Sequence, residues 1–185
     1  TRESHPQIVE AFVCSFTVLW SGDANRFQQE LRRCESDQIR FAPAPRRGDN
    51  PVQMVLDQIA ASERTIDIAM HHLTRRDIYQ ALGEALTRVP PVRVRLLVDD
   101  DDCNARPDAE VEALEAAGAL VRYMPSNCAL FQLSHNKFGI FDGTQLINGS
   151  GNWSNAGMTR NYENFIRFGD AADVAPFVTW YDRAW

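Results

Sequence analysis

Between Val52 and Met124 the chain switches repeatedly between two hydrophobic periods, and no other feature restricts its fold as strongly. Val52, Val55, Leu56 and Ile59 recur at helical spacing, Thr65 to Met70 (TIDIAM) reads as a strand, and Asp77 to Leu86 (DIYQALGEAL) returns to the helical period. Pro90 and Pro91 end that helix, and Val92 to Val98 (VRVRLLV) is a second strand. After an acidic turn at Asp99 to Asp102, Ala109 to Ala117 is a helix stopped by Gly118, and Leu120 to Met124 is a third strand. Strands joined through helices by short connections predict an α/β domain whose sheet is largely parallel in this half and covered by helices. From Gln132 the rhythm changes: Lys137 to Phe141, Gln145 to Asn148 and Asn164 to Phe168 read as strands separated by glycine-containing turns. A short strand at Gln38 to Phe41, followed by a Pro-rich and charged loop up to Pro51, opens this regular region.

A chain of 185 residues with 44% hydrophobic content can bury one substantial core but not two. One domain over residues 39–185 is expected, preceded by a helix and connector over residues 1–38. The spacing of Val9, Phe12, Val13, Phe16 and Trp20 is repeated by Val174, Phe177, Val178, Tyr181 and Trp185. Two amphipathic core helices account for this echo; so does a closing helix of a preceding, similar lobe. The chain begins with Thr and has no signal-peptide pattern, so a processed or excised N-terminus is compatible with it. No stretch approaches the roughly 18 apolar residues of a membrane span, so the chain is expected to be soluble. Cys14, Cys34, Cys103 and Cys128 form no C-x-x-C pair, which leaves buried free thiols as the expectation. The net charge of -6 gives no global basic field, and the arginine pairs, such as Arg75 with Arg76 and Arg93 with Arg95, are expected to be solvated.

Chemistry is concentrated where the rhythm changes. Ser134 to Asp142 reads SHNKFGIFD, and alternation puts His135 and Lys137 on one face of a strand, where an imidazole and an ammonium can address one phosphate. Imidazole can attack or donate a proton near neutral pH, and lysine can neutralise the non-bridging oxygens. Gly149 to Ser154 (GSGNWS) offers Ser150, Asn152 and Ser154 as neutral donors in a glycine-flanked loop. Asn161 to Asn164 (NYEN) places Glu163 beside a strand, where a carboxylate could fix the tautomer of His135. His71 and His72 (MHHLT) end a strand; they read as packed or surface side chains, or as part of the cleft. The run Asp99 to Asp102 reads as a solvated turn rather than a metal site.

The segments HNKFGIFD, GSGNWS and NYENF, in this order, resemble the phospholipase D superfamily, and within it the single-motif branch of bacterial endonucleases and mitochondrial cardiolipin hydrolases. The resemblance spans about Ile39 to Phe168. It implies an α-β-α sandwich with a mixed, partly parallel sheet and a metal-independent phosphodiesterase that needs no cofactor and works through a phosphohistidine. His135, Lys137, Glu163 and Asp142 are the implied catalytic set, with Asp142 looking structural. Lys137, Ser150, Asn152 and Ser154 are the implied phosphate ligands. The family pairs two such motifs, and this chain holds one, so the second must come from a homodimer partner or an upstream lobe. Nucleic acid is the expected substrate and phospholipid the alternative; a catalytically degenerate scaffold is a third reading. Basic surface around the cleft would favour nucleic acid, and an exposed apolar rim would favour lipid.

Overall fold

A computed structural model of the chain describes residues 5–22, 30–43, 50–100, 109–130 and 132–185. Its centre is a seven-stranded sheet in the order β1-β7-β6-β5-β2-β3-β4. The strands are β1 Ile39–Ala42, β2 Thr65–Met70, β3 Arg93–Asp99, β4 Leu120–Met124, β5 Lys137–Phe141, β6 Gln145–Gly149 and β7 Glu163–Phe168. β2, β3 and β4 are mutually parallel, as helical crossovers require, whereas β5, β6, β7 and β1 join by antiparallel pairing. The mixed sheet expected from the change of rhythm is present, and the strands lie within a residue or so of their expected bounds.

The helices are α1 Pro6–Trp20, α2 Pro51–Ala61, α3 Arg76–Leu86, α4 Ala109–Ala116, the short α5 Asn155–Thr159 and α6 Ala171–Ala184. Asn50 starts α2 by accepting a hydrogen bond from the Gln53 N–H at 3.0 Å, with Pro51 in the first turn. Alternation along β2 sends Ile66, Ile68 and Met70 into the core under α2, α3 and α4, where Val55, Ile78, Leu82 and Leu114 meet them. The opposite sheet face packs Ala69, Phe138, Ile140 and Leu146 under Val174 and Tyr181 of α6. These layers make the α-β-α sandwich.

Three readings of the sequence change here. Arg95 is not a solvated charge: it sits on the α6 side of the sheet, donating to Asp67 at 2.7 and 2.8 Å and to Asp182 at 3.0 Å, with its guanidinium over the rings of Tyr181 and Trp185. Asp67 and Arg95 are register partners on neighbouring strands, so their side chains share a face. Cys14 and Cys34 are not free thiols but a disulfide, and with Ile8, Leu31 and Phe41 they hold α1 against the edge of the sheet; Cys103 lies outside the described residues. The aromatic echo is one of spacing but not of placement. In α6, Val174 and Tyr181 are buried, whereas in α1 the matching Val9, Val13, Phe16 and Trp20 are 57 to 81% exposed and Ile8, Ala11 and Ser15 face inward. Among the described residues no helix is long and apolar enough to cross a membrane.

Candidate active site

The ends of β2, β3 and β6 and the starts of β5 and β7 converge on one edge of the sandwich, because β5 and β7 run against β2 and β6. His135 lies just ahead of β5 and reaches solvent, while Lys137, its first residue, is buried and donates from Nζ to the His135 carbonyl at 3.1 Å. Both line a cleft of about 400 Å³ that runs from Gly149 to Pro176, Phe177 and Trp180 of α6. Burial lowers the pKa of Lys137, and the Glu163 carboxylate opposes that shift, which places a negative charge near the ammonium. Burial, then Lys137 and His72, lower the pKa of His135 against Asp99 and Glu163, so the neutral, nucleophilic imidazole is favoured near neutral pH.

The loop after β6 is held by close approach. A side chain at Gly149 would collide with the Asn164 carbonyl of β7, and one at Gly151 with the Phe165 ring. Asn152 accepts the His72 N–H on Oδ1 at 3.2 Å, which commits its oxygen and leaves the amide NH₂ as the donor group of that side chain. The two serines also hold the local structure. Ser150 donates to Glu163 and accepts from the N–H and side-chain amide of Asn164 at 3.1 and 3.3 Å, so it braces the carboxylate. Ser154 caps α5, accepting the Gly157 N–H at 3.0 Å. Glu163 opens β7, and its other oxygen accepts from Asn161 at 3.3 Å.

Asp142 is not brought to this cluster. It follows β5 at the far end from His135, with φ of 51°, and accepts backbone N–H bonds from Glu63, Arg64 and Thr65 at 2.8 to 2.9 Å. Burial, which would raise its pKa, is outweighed by those three donors, and the net shift is downward. Its contribution to stability is therefore complete above the ordinary carboxylate pKa of about 3.9 and lost as pH falls through the lowered folded value. Asp142→Ala is expected to lower stability by about 2 kcal/mol in urea unfolding at pH 7, while any turnover by the folded protein keeps its kcat. A kcat loss without a stability loss would place Asp142 in the chemistry instead.

Two contributors were weighed differently in the sequence. Asp99 is buried and accepts the Ser134 N–H at 2.5 Å, so it supports the segment that presents His135 rather than a solvated turn; Asp101 and Asp102 lie outside the described residues. His71, read as packed, exposed or cleft-lining, has its ring 4.7 Å from that of His135. The signal for it was the position at a strand end, which does not fix the strand it faces. Among the described residues no group of three His, Cys, Asp or Glu side chains is arranged to hold a metal ion.

The cleft thus lies at one edge of a mixed sheet, with Lys137 opening its central antiparallel strand β5, His135 just ahead of it and Glu163 opening the strand next but one. Residues 55–185 match the family model described as the cardiolipin synthase, phospholipase D-like domain, and the chain belongs to that family. It is 32% identical over 152 residues to the mitochondrial cardiolipin hydrolase of Chlamydomonas reinhardtii, covering 82% of this chain and 63% of that protein. The human mitochondrial cardiolipin hydrolase is 28% identical over 138 residues, covering 75% and 52%. The chain thus spans less than two thirds of these relatives' length. Among solved structures, the phospholipase D family member Nuc from Salmonella typhimurium has a TM-score of 0.64 at 24% identity, covering 79% of this chain and 91% of its own. NucT from Helicobacter pylori has a TM-score of 0.65 at 20% identity, covering 72% and 86%. Both share the fold.

Proposed function

We propose that the chain is the catalytic module of a phosphodiesterase in which His135 and Lys137 act together on one phosphate. The observation that carries this reading is their meeting in one cleft, the imidazole exposed and biased to neutrality and the ammonium buried behind it beside Glu163. In the first step an imidazole nitrogen attacks phosphorus, and an N–P bond forms as the P–O bond to the leaving group breaks. A second histidine donates a proton to the departing oxygen. Water then attacks the phosphohistidine, gives its proton to that second histidine, and releases the phosphomonoester with His135 restored. Lys137 and the Asn152 amide stabilise the non-bridging oxygens throughout. Which histidine attacks first depends on where the second motif lies.

That second motif comes from another copy of the chain or from an upstream lobe. If the chain is self-sufficient, sedimentation velocity will give a dimer, and an active monomer would contradict the need for two histidines. EDTA is expected to leave turnover of bis(p-nitrophenyl) phosphate unchanged; loss on chelation would overturn the metal-free chemistry.

Phospholipid is the substrate best supported by the surroundings. An apolar groove of about 350 Å³, separate from the His135 cleft, reaches Glu163 and is walled by Phe12, Phe16 and Leu19 of α1 and by Tyr162, and an exposed apolar surface there supports the lipid reading. The named relatives are cardiolipin hydrolases, and Arg75 and Arg95 are tied up by Asp77, Asp67 and Asp182. One feature favours single-stranded nucleic acid: Trp180 presents an aromatic ring in the His135 cleft, where a base could stack. A panel of cardiolipin vesicles, single-stranded DNA, RNA and double-stranded DNA separates the readings; turnover of the nucleic acids alone would reject the lipid.

A further inference from the structure

We infer that His71 is the residue that positions the His135 imidazole, a role that rests on reading His135 as the reacting group. Orientation of His135 would fall to Glu163 by analogy with a carboxylate–histidine pair, but among the described residues no hydrogen bond joins the two, and the Glu163 oxygens accept from Ser150 and Asn161. Glu163 then acts on His135 through its charge. The ring in contact with His135 is that of His71, with centroids 4.7 Å apart and planes at 56°.

The placement of His71 is set by the sheet. β2 pairs with β5 up to Met70 opposite Lys137, and the ladder continues one step further, with the His71 N–H donating to the Asn136 carbonyl at 2.9 Å. His71 is therefore bonded to the residue between His135 and Lys137, and its side chain follows any shift of that segment. The ring of His72 also lies against it, with centroids 3.8 Å apart, and the His72 N–H is anchored on Asn152 of the loop after β6. His71 thus contacts the imidazoles of both His72 and His135.

His135 needs such a wall. It lies outside the regular strand, reaches solvent and carries two free side-chain torsions, whereas attack on phosphorus requires a narrow range of ring orientations. His71 can provide the wall because it is uncharged: burial, then His72, His135 and Lys137, push it down to about 4, with Asp99 opposing. A neutral ring adds no charge to compete with Lys137 for the phosphate. Its Nδ1 is buried without a hydrogen-bond partner among the described residues, so no hydrogen bond at that nitrogen fixes the ring.

The test uses His71→Ala and His71→Phe, with steady-state turnover of bis(p-nitrophenyl) phosphate and NMR titration of the histidine Cε1 protons, the His135 signal being assigned with His135→Asn. For H71A, kcat is expected to fall roughly 10- to 100-fold with KM nearly unchanged, because geometry and not binding is lost. The His135 titration should move up toward its ordinary value as water reaches the ring, since burial is the largest cause holding it down. H71F, which restores a flat ring, should return both kcat and the titration close to wild type. If H71A does not fold, His71→Leu, which keeps bulk without the flat face, takes its place with the same two readings. The inference is overturned if the truncated variant keeps wild-type kcat, if H71F is as impaired as it, or if the His135 titration does not move. A wild type that turns over no phosphodiester would sink the proposed function alone, and the titration shift would then decide the positioning by itself.

Discussion

His135→Ala is expected to remove turnover of bis(p-nitrophenyl) phosphate almost entirely, by roughly 10⁴-fold or more in kcat, as loss of a nucleophile or its proton partner does in other enzymes. The side chain is exposed and, among the described residues, makes no hydrogen bond, so thermal unfolding should move little, within about 0.5 kcal/mol. This separation makes the variant informative. Lys137, buried at the same cleft and bonded to the His135 carbonyl, does not allow it, because its truncation disturbs packing and chemistry together. A His135→Ala protein that folds and retains activity would end the mechanism, and a substantial loss of stability would show that His135 is structural. In an assembly with two sites, mixing His135→Ala with wild type should give less than proportional activity, because each reaction draws on both histidines.

Trp153→Ala carries the largest expected effect on stability, about 3 to 5 kcal/mol in urea unfolding, a large part of the roughly 5 to 15 kcal/mol that holds a domain of ordinary size. The ring is 1% exposed, lies parallel to Phe141 at 12° with centroids 6.4 Å apart, and fills the space that a side chain at Gly139 would need, 2.6 Å from where a Cβ would stand. Its carbonyl accepts the N–H groups of Thr74 and Arg75, which joins the loop after β6 to the start of α3. One aromatic residue thus fixes the loop bearing Ser150 and Asn152 to the strand that follows His135. Residual activity in Trp153→Ala should fall through kcat as the loop loosens, and Trp153→Phe should recover part of both losses. A cost under about 1 kcal/mol would mean that the loop stands without this anchor.

Much of the site was legible because its members are local in sequence. His135 and Lys137 are two residues apart, so strand alternation alone puts them together, and Glu163 follows a turn signal that announces a new strand. Partner choice among polar groups was not legible. A serine in a glycine-flanked loop can donate to a phosphate, brace a carboxylate or cap a helix with the same hydroxyl. The choice of bracing for Ser150 and capping for Ser154 was made by the neighbours that folding supplied. The amphipathic spacing of α1 and α6 is the same, yet the α6 stripe packs against the sheet and the α1 stripe is largely exposed, because spacing defines a face without saying what will cover it.

The sequence by itself determined the order of elements, the mixed sheet and the His-x-Lys pair, since each rests on hydrophobic period or on contact between near neighbours. Only the tertiary structure decided that His71 meets His135, that Asp67 pairs with Arg95 and that Cys14 joins Cys34. Those contacts depend on strand register and helix docking, which are fixed by packing of the whole core and leave no periodic trace in the chain.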